Sequence, residues 1–206
     1  MREPPLTLGF EDEPDETSEP DDAQGPRLAQ GSRPRSTRAA TPATSTSTST
    51  SAQGFVVRTD GAARGNPGPA SAGAVLLSLS RPDARNPRAV PDATISDYLG
   101  VQTNNVAEYT AVVRAVALAL ELGARRVELL LDSKLIVEQL AGRWRVKDAK
   151  LRLLWAEALT LLRRLPHGWT AVHVPRAQNS LADAMCNEAI DRVMAGGPDS
   201  VTRKPA

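Results

Sequence analysis

The sequence predicts an α/β domain built on one mixed sheet, with a segment lacking any folding pattern at each end. Three short apolar strands come first, close together in the chain, and this spacing favours antiparallel pairing. Two later strands alternate with amphipathic helices, which is typical of parallel pairing. The elements follow the order β-β-β-α-β-α-α-β-α over residues 55–195 of the 206-residue chain.

The composition narrows the class of protein further. Hydrophobic residues make up 41% of the chain and aromatic residues only 3%, so alanine, valine and leucine must supply most of the core. The single cysteine, Cys186, excludes an intrachain disulfide and favours a reducing compartment. The N-terminus does not resemble a signal peptide, and no apolar run is long enough to cross a bilayer. We therefore expect a monomeric, cytoplasmic protein without membrane contact.

The charge is distributed unevenly along the chain. Residues 1–54 hold nine acidic and five basic residues, whereas residues 55–206 hold 15 and 20. The first segment is acidic, then rich in arginine, serine and threonine, and has too few apolar residues to offset the entropy of folding. We expect disorder there and in residues 196–206. The net charge of +5 on residues 55–206 indicates either a polyanionic partner or simply a basic domain.

A turn of unusual composition connects the first two predicted strands. Residues 55–60 form a strand that ends on Asp60, and a Gly/Asn/Pro-rich turn follows at 65–68. A carboxylate at a strand end is held on a stiff backbone, which suits metal binding, although Asp-Gly is also typical of a simple hairpin turn. The glycines allow another backbone or a sugar-phosphate chain to approach closely. Residues 72–78 and 93–101 give the next two strands.

The second half of the domain alternates helices with strands, and turn or cap residues bound each element. Asn104 or Asn105 is expected to cap the first helix, and Gly123 to end it. Asn179 or Ser180 is expected to cap the last helix. The predicted elements are a helix over 104–122, a strand over 127–132 that ends on Asp132, helices over 133–141 and 148–165, a strand over 169–174 and a helix over 180–193.

Four acidic residues occupy the ends of these elements. Asp60 and Asp132 each end an apolar strand, while Glu108 and Asp183 lie in the first turns of helices. Such ends meet at one edge of a sheet, where four carboxylates would repel one another unless a hard cation such as Mg²⁺ joined them. Taken singly, the two strand acids could be turn residues and the two helix acids could be partners of a helix dipole.

The residues around these acids resemble the motifs of the type 1 ribonuclease H family. The resemblance covers residues 55 to about 193, and four motifs in the same order make it specific. The motifs are Thr59-Asp60-Gly61 with Gly65-Asn66-Pro67-Gly68, then Thr103-Asn104-Asn105-Val106-Ala107-Glu108-Tyr109, Asp132-Ser133, and Asn179-Ser180-Leu181-Ala182-Asp183.

The resemblance implies both a fold and an activity. The fold would be a five-stranded mixed sheet whose first three strands are antiparallel. The activity would be endonucleolytic hydrolysis of the RNA strand of an RNA–DNA hybrid with two Mg²⁺ or Mn²⁺ ions, leaving 3′-hydroxyl and 5′-phosphate ends. Glu108 would also lie near the RNA 2′-hydroxyl, and Asn66 and Asn104 would contact the hybrid in its minor groove. The metal ligands would be Asp60, Glu108, Asp132 and Asp183.

The chain departs from the family pattern in two places. Bacterial members carry a mobile histidine before the last helix, where this chain has only Pro175-Arg176-Ala177-Gln178. Arg176 could replace that histidine at the phosphate, or it could merely neutralise the sheet edge. The extra basic helix of many members is also missing. Bases instead surround Trp144, which could bind the DNA backbone with them or anchor the core. They are Arg143, Arg145, Lys147, Lys150 and Arg152.

Two other functions remain open from the sequence. A nuclease of the same fold could act on branched DNA or another nucleic-acid structure, because a fold does not by itself determine a substrate. A non-catalytic module that binds nucleic acid is a further alternative. The presence of all four carboxylates argues against it, since loss of any one of them would be its expected signature.

Overall fold

The computed structural model describes residues 53–205. The segment predicted to be disordered, residues 1–54, lies outside these residues apart from its last two positions, and Gly54 already belongs to the first strand. Within residues 53–205, no helix is both long and apolar enough to cross a membrane. The strands are β1 (Gly54–Ala63), β2 (Gly68–Ser78), β3 (Ala93–Gln102), β4 (Arg126–Leu131), β5 (Trp169–His173) and β6 (Ser200–Arg203); the helices are α1 (Asn104–Glu121), α2 (Lys134–Leu140), α3 (Ala149–Leu162) and α4 (Ser180–Met194), with a 3-10 turn at Arg176–Gln178.

The sheet is mixed, as the order of elements predicts. β2 pairs antiparallel with both β1 and β3. β4 pairs parallel with β1, and β5 pairs parallel with β4. The spatial order is β5-β4-β1-β2-β3-β6, so β1 has an antiparallel neighbour on one side and a parallel neighbour on the other. This central strand carries Asp60.

Helices cover both faces of the sheet. Because side chains alternate along a strand, Val56 and Val57 of β1 point to opposite faces. Val57 belongs to the larger apolar cluster, which includes residues of α1, α2 and α3. Val56 belongs to a smaller cluster with Leu77 of β2, against which Leu181 of α4 packs. Alanine, valine and leucine supply most of both clusters, as the composition predicts.

The prediction that the first strand ends on Asp60 is wrong. β1 continues to Ala63, and its pairing with β2 extends to the pair Ala63 and Ala70. Its pairing with β4 stops earlier, at Thr59 and Leu131. Asp60 therefore lies where β1 separates from β4 while remaining paired with β2. A hairpin follows directly, and the Arg64 N–H donates to the Pro69 carbonyl at 2.8 Å.

The prediction of five strands and of a disordered segment over 196–206 is also wrong. Ser200–Arg203 forms β6, which pairs antiparallel with β3. Arg192 of α4 holds the connection, because its guanidinium donates to the carbonyls of Pro198 at 2.8 Å and of Ser96 at 2.6 Å. The segment is short and polar, so nothing in its own composition reveals the open edge of β3 against which it pairs.

The predicted helix caps are partly corrected. The cap of α1 is Thr103, whose hydroxyl accepts from the Val106 N–H at 3.4 Å, rather than Asn104 or Asn105. Asn179 occupies the cap position of α4, but its side chain makes no capping hydrogen bond. That side chain serves the site described next.

Candidate active site

The two strand acids are brought together by the parallel register of β1 and β4. Thr59 pairs with Leu131, so the next residues along the two chains, Asp60 and Asp132, follow side by side at the point where the strands separate. β4 ends at Leu131, one residue before the predicted end, and Asp132 comes immediately after it. Asp60 is only 8% exposed. The sheet therefore supplies half of the predicted cluster.

Helix α1 brings Glu108 to Asp60 through a close approach that requires glycine. A Cβ atom added at Gly61 would lie 2.1 Å from the Glu108 backbone nitrogen, so only glycine allows α1 to pass so near β1. The Asn104 carboxamide donates to Oε1 of Glu108 at 2.8 Å. Oε2 of Glu108 is buried without a hydrogen-bond partner. The Asp-Gly pair of the first motif thus positions a helix as well as a carboxylate.

Helix α4 brings the fourth acid from the other face of the sheet in a similar way. A Cβ atom at Gly73 of β2 would lie 2.3 Å from the carbonyl oxygen of Ala182, and Ala182 is the residue before Asp183. Arg176 donates to Oδ1 of Asp183 at 3.1 Å, and the Asn187 carboxamide donates to Oδ2 at 3.1 Å. Both oxygens of this carboxylate are therefore held by the protein.

Asn179 is a site residue that sequence reasoning assigned only as a helix cap. It is 1% exposed, and its carboxamide donates to Oδ1 of Asp132 and to the Thr59 carbonyl, both at 2.8 Å. It therefore ties the end of β4 to the end of the β1–β4 pairing. Its place in the last motif indicated that it matters. Its partners could not be predicted, because they are 47 and 120 residues away in the chain.

Three of the four carboxylates line one cavity of about 410 Å³, and the fourth, Asp183, lies close enough for its charge to act on Asp60. Burial, together with the nearby charges of Asp132, Asp183 and Glu108, raises the pKa of Asp60 to about 7, against the opposing effect of Arg176. Burial also raises the pKa of Glu108, although hydrogen bonds from Ser133 and Asn104 act in the other direction. The cavity is lined by Asp60, Gly61, Ala62, Ala63, Asn104, Glu108, Asp132, Ser133 and Arg176.

The donor set fits a hard divalent cation. Four carboxylates converge, and Oε2 of Glu108 is buried without any partner from the protein. Among residues 53–205, no three acidic, histidine or cysteine side chains are arranged as ligands of a single ion. Mg²⁺ commonly takes one or two carboxylates and completes its shell with water and substrate oxygens.

The predicted substrate-binding residues fall into two groups. Asn104 and Arg176 line the cavity, and the Arg176 side chain is 79% exposed. Asn66 is not a lining residue but lies next to one, because its Oδ1 accepts from the Asn104 backbone N–H at 3.1 Å. Trp144 is not among the lining residues. It is half-buried, with the Lys134 ammonium 5.8 Å from its ring centroid. Trp144 belongs to neither apolar cluster, whereas Val146 of the same segment is buried in the larger one.

Both histidines of the chain lie before the loop that precedes α4. His173 lies in β5, and its Nε2 is 3.2 Å from the main-chain carbonyl of Asp132. His167 lies near Arg125, before β5. Neither imidazole is among the groups that line the cavity, where Arg176 supplies the cation.

Comparison with known proteins gives a consistent result. Residues 58–189 match the family described as "Reverse transcriptase-like". The ribonuclease HI of Halobacterium salinarum is 42% identical over 132 residues, covering 64% of this chain and 62% of that protein. A bifunctional protein of Mycobacterium tuberculosis is 40% identical over 139 residues, covering 66% of this chain and 35% of that protein. The chain thus spans roughly a third of that longer relative.

Solved structures are similar over the same region. The crystal structure of LC11-RNase H1 in complex with an RNA/DNA hybrid has a TM-score of 0.60 and 35% sequence identity to this chain. The match covers 68% of this chain and 99% of that one. Residues 58–189, which match the family, include all four carboxylates.

Proposed function

The chain belongs to the type 1 ribonuclease H family, and we propose that it hydrolyses the RNA strand of RNA–DNA hybrids endonucleolytically, using two Mg²⁺ ions and leaving 3′-hydroxyl and 5′-phosphate ends. The observation that carries the proposal is the convergence of four carboxylates where β1 and β4 separate: three line one cavity, and the charge of Asp183 acts on Asp60 beside them. Family members named ribonuclease H, and a relative solved with a hybrid, support the substrate class.

The carboxylates are the proposed metal ligands. Asp60, Glu108, Asp132 and Asp183 would hold the ions, with Mn²⁺ as a possible substitute for Mg²⁺. When bound, such ions would act as Lewis acids toward the phosphodiester and the attacking water. The ions would bind because they neutralise the negative charge of the cluster. Without them, burial and repulsion between the carboxylates oppose ionisation of Asp60.

Three further side chains would recognise the substrate. Asn66 and Asn104 present carboxamides beside Glu108, and short amides can reach the 2′-hydroxyls displayed in the shallow minor groove of an A-like duplex. Glu108 would meet the 2′-hydroxyl of the RNA strand. Arg176 is exposed except for its bond to Asp183, so its guanidinium can turn toward a phosphate. Recognition would follow strand shape and hydroxyl contacts rather than base sequence.

A substrate panel tests the proposal. The purified protein is incubated with an RNA–DNA hybrid, duplex RNA, duplex DNA and branched DNA, each with and without Mg²⁺. We expect cleavage of the hybrid alone, in its RNA strand and only with the metal. End-group analysis of the fragments then checks for 3′-hydroxyl and 5′-phosphate termini. Cleavage of branched DNA in preference to the hybrid would contradict the proposed substrate.

Matched carboxylate variants distinguish loss of a metal ligand from a general effect of removing one negative charge. Asp132→Asn keeps the shape of the side chain and removes its charge, so nearly all activity should be lost while the fold survives. Glu121→Gln makes the same change at the far end of α1 from Glu108, where the exposed Glu121 carboxylate pairs with Lys204. Glu121 contacts neither the cavity nor Arg58, so this variant should retain activity. Equal loss in both variants would refute the assignment of the cavity.

A further inference from the structure

Arg58 is a cation buried in the centre of the sheet. It lies on β1 two residues before Asp60, and it is 1% exposed. Residues two apart on a strand point to the same face of the sheet, so Arg58 lies on the same face as Val56. Val56 belongs to the smaller apolar cluster. Arginine is almost never fully buried without a partner, because removing its charge from water is unfavourable. An apolar side chain would fit this position without that penalty.

The contacts of Arg58 are two main-chain carbonyls. Its Nη1 donates to the Gln178 carbonyl at 2.8 Å, and its Nη2 donates to the Arg85 carbonyl at 2.9 Å. Its Nε is buried without a partner, and no carboxylate of residues 53–205 forms an ion pair with it. The guanidinium is therefore used to join two loops rather than to neutralise an acid.

One of these loops is fixed to the sheet. The guanidinium of Arg85 donates to both carboxylate oxygens of Glu128 on β4, at 3.0 and 2.9 Å, and Glu128 is 8% exposed. A paired, two-point contact of this kind sets the orientation of both side chains. The Arg85 carbonyl consequently gives Arg58 a stable anchor on one side.

The other loop carries two groups of the active site. Arg176 begins the 3-10 turn and donates to Asp183, and Asn179 follows the turn and donates to Asp132. The Gln178 carbonyl that accepts from Arg58 belongs to the same peptide as the Asn179 nitrogen. A shift of this peptide would therefore move the carboxamide that holds Asp132.

We propose that Arg58 is a positioning residue, which holds the turn at 176–179 so that Asn179 and Arg176 orient Asp132 and Asp183 for metal binding. The inference rests on the proposed function, since it assigns Arg58 a part in the same site. Arg58 touches neither the cavity nor a carboxylate, and it acts through the turn. The alternative is that it only fills space beneath α4, and the two roles differ in what a substitution changes.

The test uses Mn²⁺ as a probe of the carboxylates. Arg58→Met keeps an unbranched side chain that matches Arg58 as far as Nε and removes the guanidinium donors, so the turn should loosen while most of the packing of the stem is preserved. We expect Mn²⁺ to bind about tenfold to hundredfold more weakly, measured as free Mn²⁺ by electron paramagnetic resonance, the range seen when a residue behind a metal ligand is lost. Turnover of the hybrid at saturating substrate should fall with it, while KM changes less.

A matched control measures the effect of destabilisation alone. Leu77→Ala removes a buried side chain from the same apolar cluster and leaves the turn untouched. This variant should melt at a lower temperature and bind Mn²⁺ within about twofold of the wild type. If it loses Mn²⁺ affinity as Arg58→Met does, the effect is general loosening and the positioning role is refuted.

A double-mutant cycle identifies the route. If Arg58 acts through Asn179, the variant Arg58→Met/Asn179→Ala should bind Mn²⁺ little more weakly than Asn179→Ala alone. Fully additive losses, or wild-type Mn²⁺ binding in Arg58→Met, would overturn the inference. If Arg58→Met does not fold, Arg58→Lys decides, because it keeps the charge but cannot span both carbonyls. Wild-type Mn²⁺ affinity in Arg58→Lys would likewise overturn it.

The two proposals fail separately. A wild-type protein that binds Mn²⁺ and leaves hybrids intact contradicts the proposed function, whatever the variants show. A wild-type protein that cleaves hybrids, with an Arg58→Met variant equal to it in Mn²⁺ affinity, contradicts only the role of Arg58.

Discussion

The four carboxylates form two pairs that the protein treats differently. Asp60 is the most buried of the four, and Oε2 of Glu108 is buried without a hydrogen-bond partner. Burial raises the pKa of both groups. Asp132 and Asp183 are half-buried and receive hydrogen bonds from Asn179, Arg176 and Asn187 in the segment around the start of α4. We call them the deep pair and the held pair.

The difference shows how one site can combine affinity with orientation. In the deep pair the effects of burial and repulsion outweigh the opposing contacts of Arg176, Ser133 and Asn104, so a cation gains most by binding there. The held pair is already oriented by donors, so it can present its oxygens at defined positions without a cation. Four predictions test this division, from the largest expected effect to the smallest.

Loss of charge in the deep pair should abolish the reaction. We expect Asp60→Asn to reduce hydrolysis of a hybrid by about 10³-fold or more, because the neutral amide cannot replace a carboxylate ligand at a metal-dependent site. The measurement is kcat/KM with Mg²⁺ at pH 8. A reduction of less than about tenfold would show that the deep pair is not where the cation acts.

Loss of a donor to the held pair should have a smaller effect. Asn179→Ala removes the hydrogen bonds to Asp132 and to the Thr59 carbonyl. We expect activity to fall about tenfold to hundredfold, with partial recovery at higher Mg²⁺ concentration, since the carboxylate is still present but less well oriented. A titration of activity against Mg²⁺ measures both effects. Losses that no Mg²⁺ concentration relieves would point to damage beyond Asp132.

The deep pair should also make the metal-free protein sensitive to pH. The folded protein binds the Asp60 proton more tightly than the unfolded chain, since its pKa rises from 3.8 to about 7. The stability that this protonation contributes is present below about pH 4 and lost as the pH rises through 7. Asp60→Asn should therefore raise the free energy of unfolding in EDTA at pH 8 by about 2 kcal/mol, and by less at pH 5.

Urea unfolding at the two pH values measures this difference. Asp183→Asn serves as the control from the held pair and should give a much smaller gain, because it removes a carboxylate that already has donors. An equal gain in both variants would erase the distinction between the pairs.

The smallest expected effect belongs to Arg176. Its side chain is 79% exposed, so its bond to Asp183 contributes little to stability. We expect Arg176→Ala to lower kcat/KM for the hybrid by about fivefold, because it removes one exposed contact, either to a phosphate or to Asp183. Arg176→Lys should recover part of this loss because it keeps the charge. Unchanged turnover in Arg176→Ala would leave Arg176 without a role in the reaction.

Much of the fold could be predicted from local patterns. The antiparallel opening strands, the parallel later strands and the helices between them follow from periodicity, turn residues and the order of elements. The errors concern features that no short segment contains. β1 extends beyond Asp60 because β2 continues to pair with it, and β6 forms because β3 offers an open edge.

The candidate site shows the same division. The four carboxylates could be recognised because each lies at the end of a predicted element within a motif. The roles of Asn179 and Arg58 could not, since the Arg58 partner Gln178 is 120 residues away in the chain and Asn179 resembles an ordinary cap. Both residues make their most important contacts with segments that are distant from them in the chain.

By itself the sequence determined the elements, their order and the identity of the acids, because these depend on residues that are neighbours in the chain. The tertiary structure alone decided which acids are deep and which are held. That outcome depends on the register of β1 with β4 and on the close approach of α1 and α4 at two glycines, Gly61 and Gly73. Burial and hydrogen bonding between distant segments exist only once those surfaces meet.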